Sequence, residues 1–421
     1  MKYKLINGQL LLRDNGNYTV EQQDLYVKDG KIVAIGALKD DADFTVVDAK
    51  DRLIMPGLIN SHGHLYMTTF RGIADDVDFN EWLFERIMPT ENKMTPDEAY
   101  NSCMLGCMEM IQSGTTSFLD MHMFAGQSAR AATETGLRAF IGRCIVGDDL
   151  HTDAKARFDE LLTEQEAFES DRIRFMVMPH AIYTCSEQLL RQLDEEAKSR
   201  KMLKHIHMSE SDTEIENCLK ERGKTPMAYL RDIGFMDEMT SMAHCVKLTD
   251  EDIAIIAKSG ATVVTNPASN CKLGNGFARI HDLKEAGVNV ALGTDSTASN
   301  NTLNMFREMG VLTLIHKGIH KDSTVLPAAY VLDTATANAA RAFGMTGRLG
   351  EIKVGAYADL VFVDLNAPSL FPNNNIVGSL CYSANGSEVD SVMIDGKFVY
   401  KNREFLTIDR EQVLYNIKKD R

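Results

Sequence analysis

The rhythm of hydrophobic and polar positions changes twice along the chain. Up to about residue 56 the apolar runs are short: Leu5-Ile6, Leu10-Leu11-Leu12, Leu25-Tyr26-Val27 and Phe44-Thr45-Val46-Val47. Asp29-Gly30 ahead of Lys31-Ile32-Val33-Ala34-Ile35 predicts a hairpin turn. No helix of any length fits this stretch. From Met55 onward apolar strands alternate with helical patterns. Helices are predicted at 96–113, 129–135, 158–168, 188–198, 226–233 and 280–286, the first ended by Gly114 and the second by Gly136. Strands are predicted at 115–120, 139–141, 175–180, 203–207, 242–245, 261–265 and 288–292. Thr249-x-x-Asp252 is a capping box that opens a further helix, and Gly260 closes it. Long helices run on to about Phe343. After about Gly350 the strand rhythm returns, at 358–364 and in a hairpin of 389–394 with 398–400 turned by Asp395-Gly396.

Counted from Leu58, eight strands alternate regularly with helices. This predicts an α/β fold built on a parallel (β/α)8 TIM-like barrel. A doubly wound open sheet is the competing reading. The barrel is preferred because polar residues recur at the strand ends, as though converging on one axis. The expected division is a barrel hydrolase domain at 57–346 and a small flanking β-sandwich domain formed from both chain ends, 1–56 and 347–421. No tandem repeat or low-complexity segment is found.

Composition narrows the class. The 421 residues are 44% apolar and 25% charged, ordinary for a globular protein. The formal net charge of −15 argues against non-specific binding to nucleic acid or to an anionic membrane surface. No run approaches the roughly 18 apolar residues of a membrane span. The first eight residues lack the apolar core of a signal peptide. Eight cysteines are scattered; Cys103 and Cys107, four apart on one helix face, suit core packing, and no second pair completes a metal site. Reduced thiols in a cytoplasm are expected.

The candidate chemistry begins at His62-Gly63-His64. Residues two apart on a strand share a face, so both imidazoles can be presented to one point. Neutral imidazole is the commonest protein ligand for zinc and similar ions. Further polar residues stand at later strand ends: His180, then His205 and His207 with Glu210, then His244 and Asp295. Six of the eleven histidines fall at these ends, where active sites of (β/α)8 barrels lie. Spacing alone does not choose between His205 and His207, which face the same way.

The motifs PGLINSHGH, HIHMSE, AHC, NPASNCKLGNG and GTDS resemble the amidohydrolase superfamily, as does the late GRLGEIKVGAYADLVFVDL. Within it the chain is most similar to the methylthioadenosine/S-adenosylhomocysteine deaminases, through DFNEWLFERIMPTE around Trp82 and Glu91 and MPHAIYTCSE around His180. The resemblance spans essentially the whole chain. It implies one divalent metal ion per chain, usually zinc, with iron or manganese as alternatives. It implies His62, His64, His207 and Asp295 as ligands, leaving His205 as a neighbour. Such a set leaves a position for water, whose pKa the metal lowers towards neutrality. Lys204 and Lys247 sit off the strand ends where a bridging lysine would be needed for two metals.

The resemblance makes Glu210 the acid/base that protonates the ring nitrogen. It has His244 orient and polarise the water, and Asp295 both bind the metal and take the water's proton. Taken singly, Glu210 reads as a solvated loop carboxylate and Asp295 as a turn residue. Glu91 looks like the acid that holds ribose hydroxyls; otherwise it is an exposed residue at a helix start. Trp82 lines the pocket or belongs to the core. His180 and Arg143 match substrate contacts, Arg143 suiting a homocysteine carboxylate, and Arg157 is a candidate for a second arginine. Thr265 stands where many relatives carry histidine and is expected to tune the pocket.

The implied activity is hydrolytic deamination of 5′-modified adenosine nucleosides: methylthioadenosine, S-adenosylhomocysteine and adenosine itself. The products would be the inosine analogues and ammonia. The partner is then a small-molecule nucleoside, and homo-oligomers remain compatible with the sequence. A deaminase of free guanine or cytosine, or a triazine hydrolase, would share the metal set and differ in the pocket. A non-catalytic relative would be expected to lose ligands, and here every ligand position is filled.

Overall fold

The apolar runs at the two ends of the chain pair with each other. In the computed structural model, Arg52–Pro56 lies antiparallel to Leu360–Asp364, with Met55 opposite Val361. The structure describes residues 1–79 and 81–419; Asn80 of the segment around Trp82, and residues 420 and 421 of the expected C-terminal part, lie outside the described residues. The shared sheet has seven strands, with Gln9–Asp14 and Asn17–Gln22 on one side and Val389–Ile394, Lys397–Lys401 and Glu404–Phe405 on the other. A second, four-stranded sheet holds Lys2–Ile6, Leu25–Lys28, Lys31–Ile35 and Thr45–Asp48. Leu5, Leu25, Val27 and Ile32 of that sheet share one buried cluster with Leu10, Ile54, Leu360 and Phe362 of the larger one.

Both expected hairpin turns are present. Asp29 and Gly30 have φ of 49° and 80°, and Asp395 and Gly396 have 50° and 69°, the left-handed pair that matches strand twist. The strand Asn17–Gln22 is not foreshadowed by any apolar run. It is an edge strand with almost every side chain exposed, so no burial marked it. The apolar stretch from Met55 is also not one strand. It divides at Gly57, with Arg52–Pro56 in the seven-stranded sheet and Leu58–Asn60 in a parallel one. A Cβ on Gly57 would stand 2.0 Å from Thr116 Oγ1, so only glycine permits the two segments to cross there.

The middle of the chain is mixed α/β with parallel sheets. Leu58–Asn60, Thr115–His122, Arg138–Ile145 and Ile173–Phe175 lie side by side in chain order, with Met178–Pro179 also paired to Arg138–Ile145. Lys204–Met208, Thr240–His244, Thr262–Thr265 and Asn289–Leu292 form a second parallel series. Backbone hydrogen bonds join the two series at both edges. His205 N–H donates to Val177 O at 3.1 Å, and Ser61 N–H donates to Leu292 O at 2.9 Å.

Successive residues of these strands go to different layers. Ile59, Leu119, Phe140, Val264 and Ala291 share one buried cluster. Their neighbours Leu58, Phe118, Ile141, Val263 and Val290 pack into the larger cluster with the helices. The helix caps follow the sequence: Thr249 and Asp252 form the reciprocal capping box, and Gly260 ends that helix at φ 76°. The helix Asp212–Arg222 was not anticipated. It buries only Glu214 and Cys218, so it carries no apolar stripe; its signals lie at its ends, Ser211, whose side chain caps Glu214 N, and Gly223, which closes it at φ 68°. Among the described residues no helix is long and apolar enough to cross a membrane.

Candidate active site and metal centre

The carboxyl ends of the parallel strands bring six predicted side chains together. His62 and His64 follow Leu58–Asn60, His180 follows Met178–Pro179, His207 lies within Lys204–Met208, His244 ends Thr240–His244, and Asp295 comes three residues after Leu292. The imidazole centroids of His62, His64 and His207 stand 4.9, 5.0 and 5.3 Å apart. His244 and Asp295 have φ of 71° and 61°, a costly conformation for residues with side chains, here held at the turns that aim them inward. Gly293 allows the approach: a Cβ there would lie 2.8 Å from His62 N.

Hydrogen bonds assign the tautomer of each imidazole. His64 Nδ1 donates to Met121 O at 2.7 Å, and His207 Nδ1 donates to His180 O at 2.9 Å, because a carbonyl can only accept. For His62 the chain of donors is longer. Ser241 Oγ donates to Lys204 O at 3.2 Å, so it accepts from His205 Nδ1 at 2.7 Å. His205 Nε2 must then accept from His62 Nδ1 at 2.9 Å. All three of His62, His64 and His207 are left with a bare Nε2. Burial holds His62 at a pKa of about 4 and His207 well below its ordinary value, so both stay neutral at pH 7.

These nitrogens converge with a carboxylate. Asp295 Oδ1 is 3.4 Å from His62 Nε2 and 3.4 Å from His64 Nε2, and His64 Nε2 is 3.3 Å from His207 Nε2. Ser269 and Ser299 donate to Asp295 Oδ2 at 2.6 and 2.7 Å, which orients the other oxygen. His62 Nε2 is buried and has no hydrogen-bond partner, a cost that a cation would relieve. Neutral imidazoles and a carboxylate oxygen are a donor set that fits a divalent ion.

Beside this set lies a carboxylate–imidazole pair. Glu210 Oε2 is 3.7 Å from His244 Nε2, and Glu210 Oε1 accepts from Asn275 Nδ2 at 2.9 Å. Burial raises the Glu210 pKa above the ordinary carboxylate value. Burial opposes a charge on His244, but Glu210 and Asp295 outweigh it and raise its pKa; Asn270 Oδ1 fixes His244 Nδ1 at 2.9 Å. His180 packs against His207 with centroids 4.9 Å apart, and its Nδ1 meets Thr184 Oγ1 at 2.9 Å.

The other predicted residues are placed as follows. Glu91 is half-buried, and Tyr66 Oη donates to its Oε1 at 2.5 Å. Trp82 is packed in a cluster with Phe79, and its indole N–H donates to Ala298 O at 3.2 Å, bracing the loop after Asp295. Arg143 is not among the imidazoles. It pairs with Glu160 at 2.9 Å. The alternating layers account for this: Phe140 joins the inner cluster, Ile141 and Ile145 the helix side, and Arg143 shares the phase of the latter. Arg157 is half-buried and has no ion pair among the described residues. Thr265 is buried at the end of its strand. Lys204 reaches Asp194 and Asp237 at 2.5 and 3.0 Å, and Lys247 reaches Asp212 at 2.8 Å, so neither amine joins the cluster.

Several contributors escaped the sequence reading. Ser241, Ser269, Asn270, Asn275 and Ser299 are short polar residues that any strand end or loop carries. The quoted motifs NPASNCKLGNG and GTDS lie over or next to four of them, and Ser241 had no signal beyond its strand. Cys103, Asp120 and His122 also come together in the core. Phe124 N–H donates to His122 Nδ1 at 2.7 Å, so Nε2 carries the hydrogen and donates to Cys103 Sγ at 3.2 Å. That group is satisfied as packing, in keeping with the expectation for Cys103.

The chain is similar to known proteins over nearly all of its length. The Amidohydrolase family matches residues 53–399. The 5-methylthioadenosine/S-adenosylhomocysteine deaminase of Acetivibrio thermocellus is 41% identical over 423 residues, covering 99% of this chain and 98% of the relative. The 5′-deoxyadenosine deaminase of Methanocaldococcus jannaschii is 40% identical over 402 residues, covering 93% and 94%. A crystal structure of an adenosine deaminase from Xanthomonas campestris with bound zinc superposes with a TM-score of 0.93 at 31% identity, covering 99% of this chain and 97% of that one. The strand ends that carry the imidazoles and the carboxylate fall inside the matched segment, and the chain belongs to the amidohydrolase family.

Proposed function

We propose that this protein is a metal-dependent aminohydrolase that converts 5′-modified adenosine nucleosides to their inosine analogues and ammonia. The observation that carries this is the convergence of three bare Nε2 atoms and Asp295 Oδ1 beside the Glu210–His244 pair. The names of the relatives above support the substrate class. His62, His64, His207 and Asp295 would hold one divalent ion, with zinc favoured by the crystal structure at 31% identity. When bound, such an ion supplies a Lewis acid that brings the pKa of water towards neutrality.

The chain's own groups then divide the proton work. Asp295 Oδ1 accepts a proton from the water that adds to the amidine carbon. Glu210, its pKa raised by burial, gives a proton to the adjacent ring nitrogen. His244, its Nδ1–H held by Asn270 Oδ1, donates from Nε2 as the imidazolium, which Glu210 and Asp295 favour against burial, to the oxygen that gains negative charge. Asp295 passes its proton to the amine, Glu210 takes back a proton from the added hydroxyl, and ammonia leaves as the carbonyl forms. Glu91 accepts from the sugar hydroxyls, and His180 lines the pocket beside His207. Arg143 already has its charge met by Glu160, which favours uncharged 5′ tails over a homocysteine carboxylate.

The architecture proposed with this function is a closed (β/α)8 barrel over 57–346. The hydrogen bonds at both edges of the parallel series support closure. Residues 1–56 and 347–421 would form a flanking β-sandwich. The test is ammonia release across methylthioadenosine, 5′-deoxyadenosine, S-adenosylhomocysteine, adenosine, adenine, guanine and cytosine, with metal content measured in the same preparation. Nucleoside turnover with about one ion per chain is expected, S-adenosylhomocysteine being the poorer of the 5′-modified substrates. Preferred turnover of guanine or cytosine would reject the nucleoside reading. An active preparation without metal would reject the mechanism.

A further inference from the structure

The Glu91 carboxylate is held by something other than its own element. Met88–Glu91 is a single helical turn with no fully buried side chain, Glu91 itself being half-buried. Among the described residues, the one side-chain partner of the Glu91 carboxylate is Tyr66, whose hydroxyl donates to Oε1 at 2.5 Å. Without that bond nothing in the turn itself keeps a charged group from swinging to water.

Tyr66 is fixed on every side. It lies in the turn Leu65–Phe70, directly after the ligand His64, and is 5% exposed. Asp120 Oδ1 accepts from Leu65 N at 2.9 Å, and Ser102 Oγ donates to Tyr66 O at 2.6 Å, so the backbone cannot drift. The phenol ring meets His122 edge to face with centroids 4.7 Å apart, Phe70 at 6.4 Å and His64 at 6.2 Å. His122 is in turn locked by Phe124 N–H and Cys103. A rigid post therefore stands between the ligand His64 and a carboxylate on a loosely packed turn.

We infer that Tyr66 is a positioning residue for substrate recognition. It occupies one lone pair of Glu91 Oε1 and turns the carboxylate plane so that Oε2 and the remaining lone pair face the sugar hydroxyls. This also ties sugar recognition to the loop that carries the metal ligands, since Tyr66 belongs to that loop. The inference rests on the reading of Glu91 as the sugar-hydroxyl acceptor. Phenylalanine at this place would keep the ring contacts and lose only the donor, so the two roles of the side chain can be separated.

The experiment uses the full-length holoenzyme with adenosine and 2′,3′-dideoxyadenosine, in wild type, Tyr66→Phe, Glu91→Ala and the double variant. Wild type should prefer adenosine. Tyr66→Phe should lower that preference by about tenfold, the scale of one lost hydrogen bond to a charged group. The loss should fall on KM rather than kcat, with metal content retained. The double variant should be no worse than Glu91→Ala, because Tyr66 acts through Glu91. A Tyr66→Phe protein that keeps the wild-type preference within twofold overturns the inference, even if its thermal stability falls, since that is what a packing role alone would do. A double variant additive in both losses also overturns it. A wild type that makes no distinction between the two nucleosides would instead remove the sugar-hydroxyl reading of Glu91, and the role of Tyr66 with it.

Discussion

Ser241 ends the relay that decides which nitrogen of His62 carries hydrogen, and Ser241→Ala isolates that role. The substitution removes one oxygen from a side chain that is 1% exposed and leaves the strand's apolar packing in place. With the hydroxyl gone, His205 Nδ1–H has no acceptor in this relay, and a buried donor without a partner costs about 1–3 kcal/mol. His205 escapes the cost by moving its hydrogen to Nε2, from which it donates to His62 Nδ1 across 2.9 Å. His62 must then carry hydrogen on Nε2, the atom 3.4 Å from Asp295 Oδ1, and its lone pair is lost. A divalent ion binds only the other tautomer, so most of that 1–3 kcal/mol is taken from its affinity. At about 1.4 kcal/mol per tenfold this is roughly a 10- to 100-fold loss, the range seen when an outer hydrogen-bond partner of a ligand is removed. Competition with a chelator of known affinity measures it directly. Ser241→Thr keeps the hydroxyl and should lose far less. Affinity of Ser241→Ala within twofold of wild type would refute the relay, and equal losses in both variants would assign the effect to packing.

Three further outcomes follow from the site. Glu210→Gln should keep the bound metal and the fold while kcat falls by roughly 100-fold or more, as for loss of a general acid/base; an unchanged rate would make Glu210 a bystander. Glu91→Ala should lower kcat/KM for nucleosides by at least about 100-fold if two sugar hydroxyls lose a charged acceptor, and a change under threefold would place Glu91 outside recognition. Glu308 is 0% exposed, accepts from Asn300 Nδ2 at 2.7 Å and Ala268 N at 3.2 Å, and burial pushes its pKa from 4.5 up to about 7. The folded state therefore keeps a proton that the unfolded chain releases above pH 4.5. This stability is fully present below that pH and is lost as pH rises through 7, by about 3 kcal/mol at most, at 1.36 kcal/mol per pH unit. Denaturant titrations of Glu308→Gln at pH 5 and pH 8 should show a correspondingly smaller fall than wild type, and equal falls would exclude Glu308 as the cause.

Much of this protein was legible in the order of its residues. The alternation of apolar strands and amphipathic helices follows from burial, which imposes a period near two or near 3.6 on any segment with a buried face. The same period of two placed His62 with His64, and His205 with His207, on shared faces. Local hydrogen bonds made the Thr249 capping box and the two Asp-Gly hairpins equally readable, because each closes within four residues. The strand period also contained the direction of Arg143, one residue from Gly142 and out of phase with Phe140, although reading it required knowing which layer Phe140 occupies. The rest was decided only in three dimensions. His205 and His207 are equivalent in sequence, but His62 and Ser241 consume both nitrogens of the deeper His205, while His207 meets a backbone carbonyl and keeps a bare nitrogen. The hydrogen-bond partners of Glu210 and His244, Asn275 and Asn270, arrive from 65 and 26 residues away. Such pairings carry no local period or turn signal, since they are set by where the strand ends meet, and that is fixed by the packing of the whole chain.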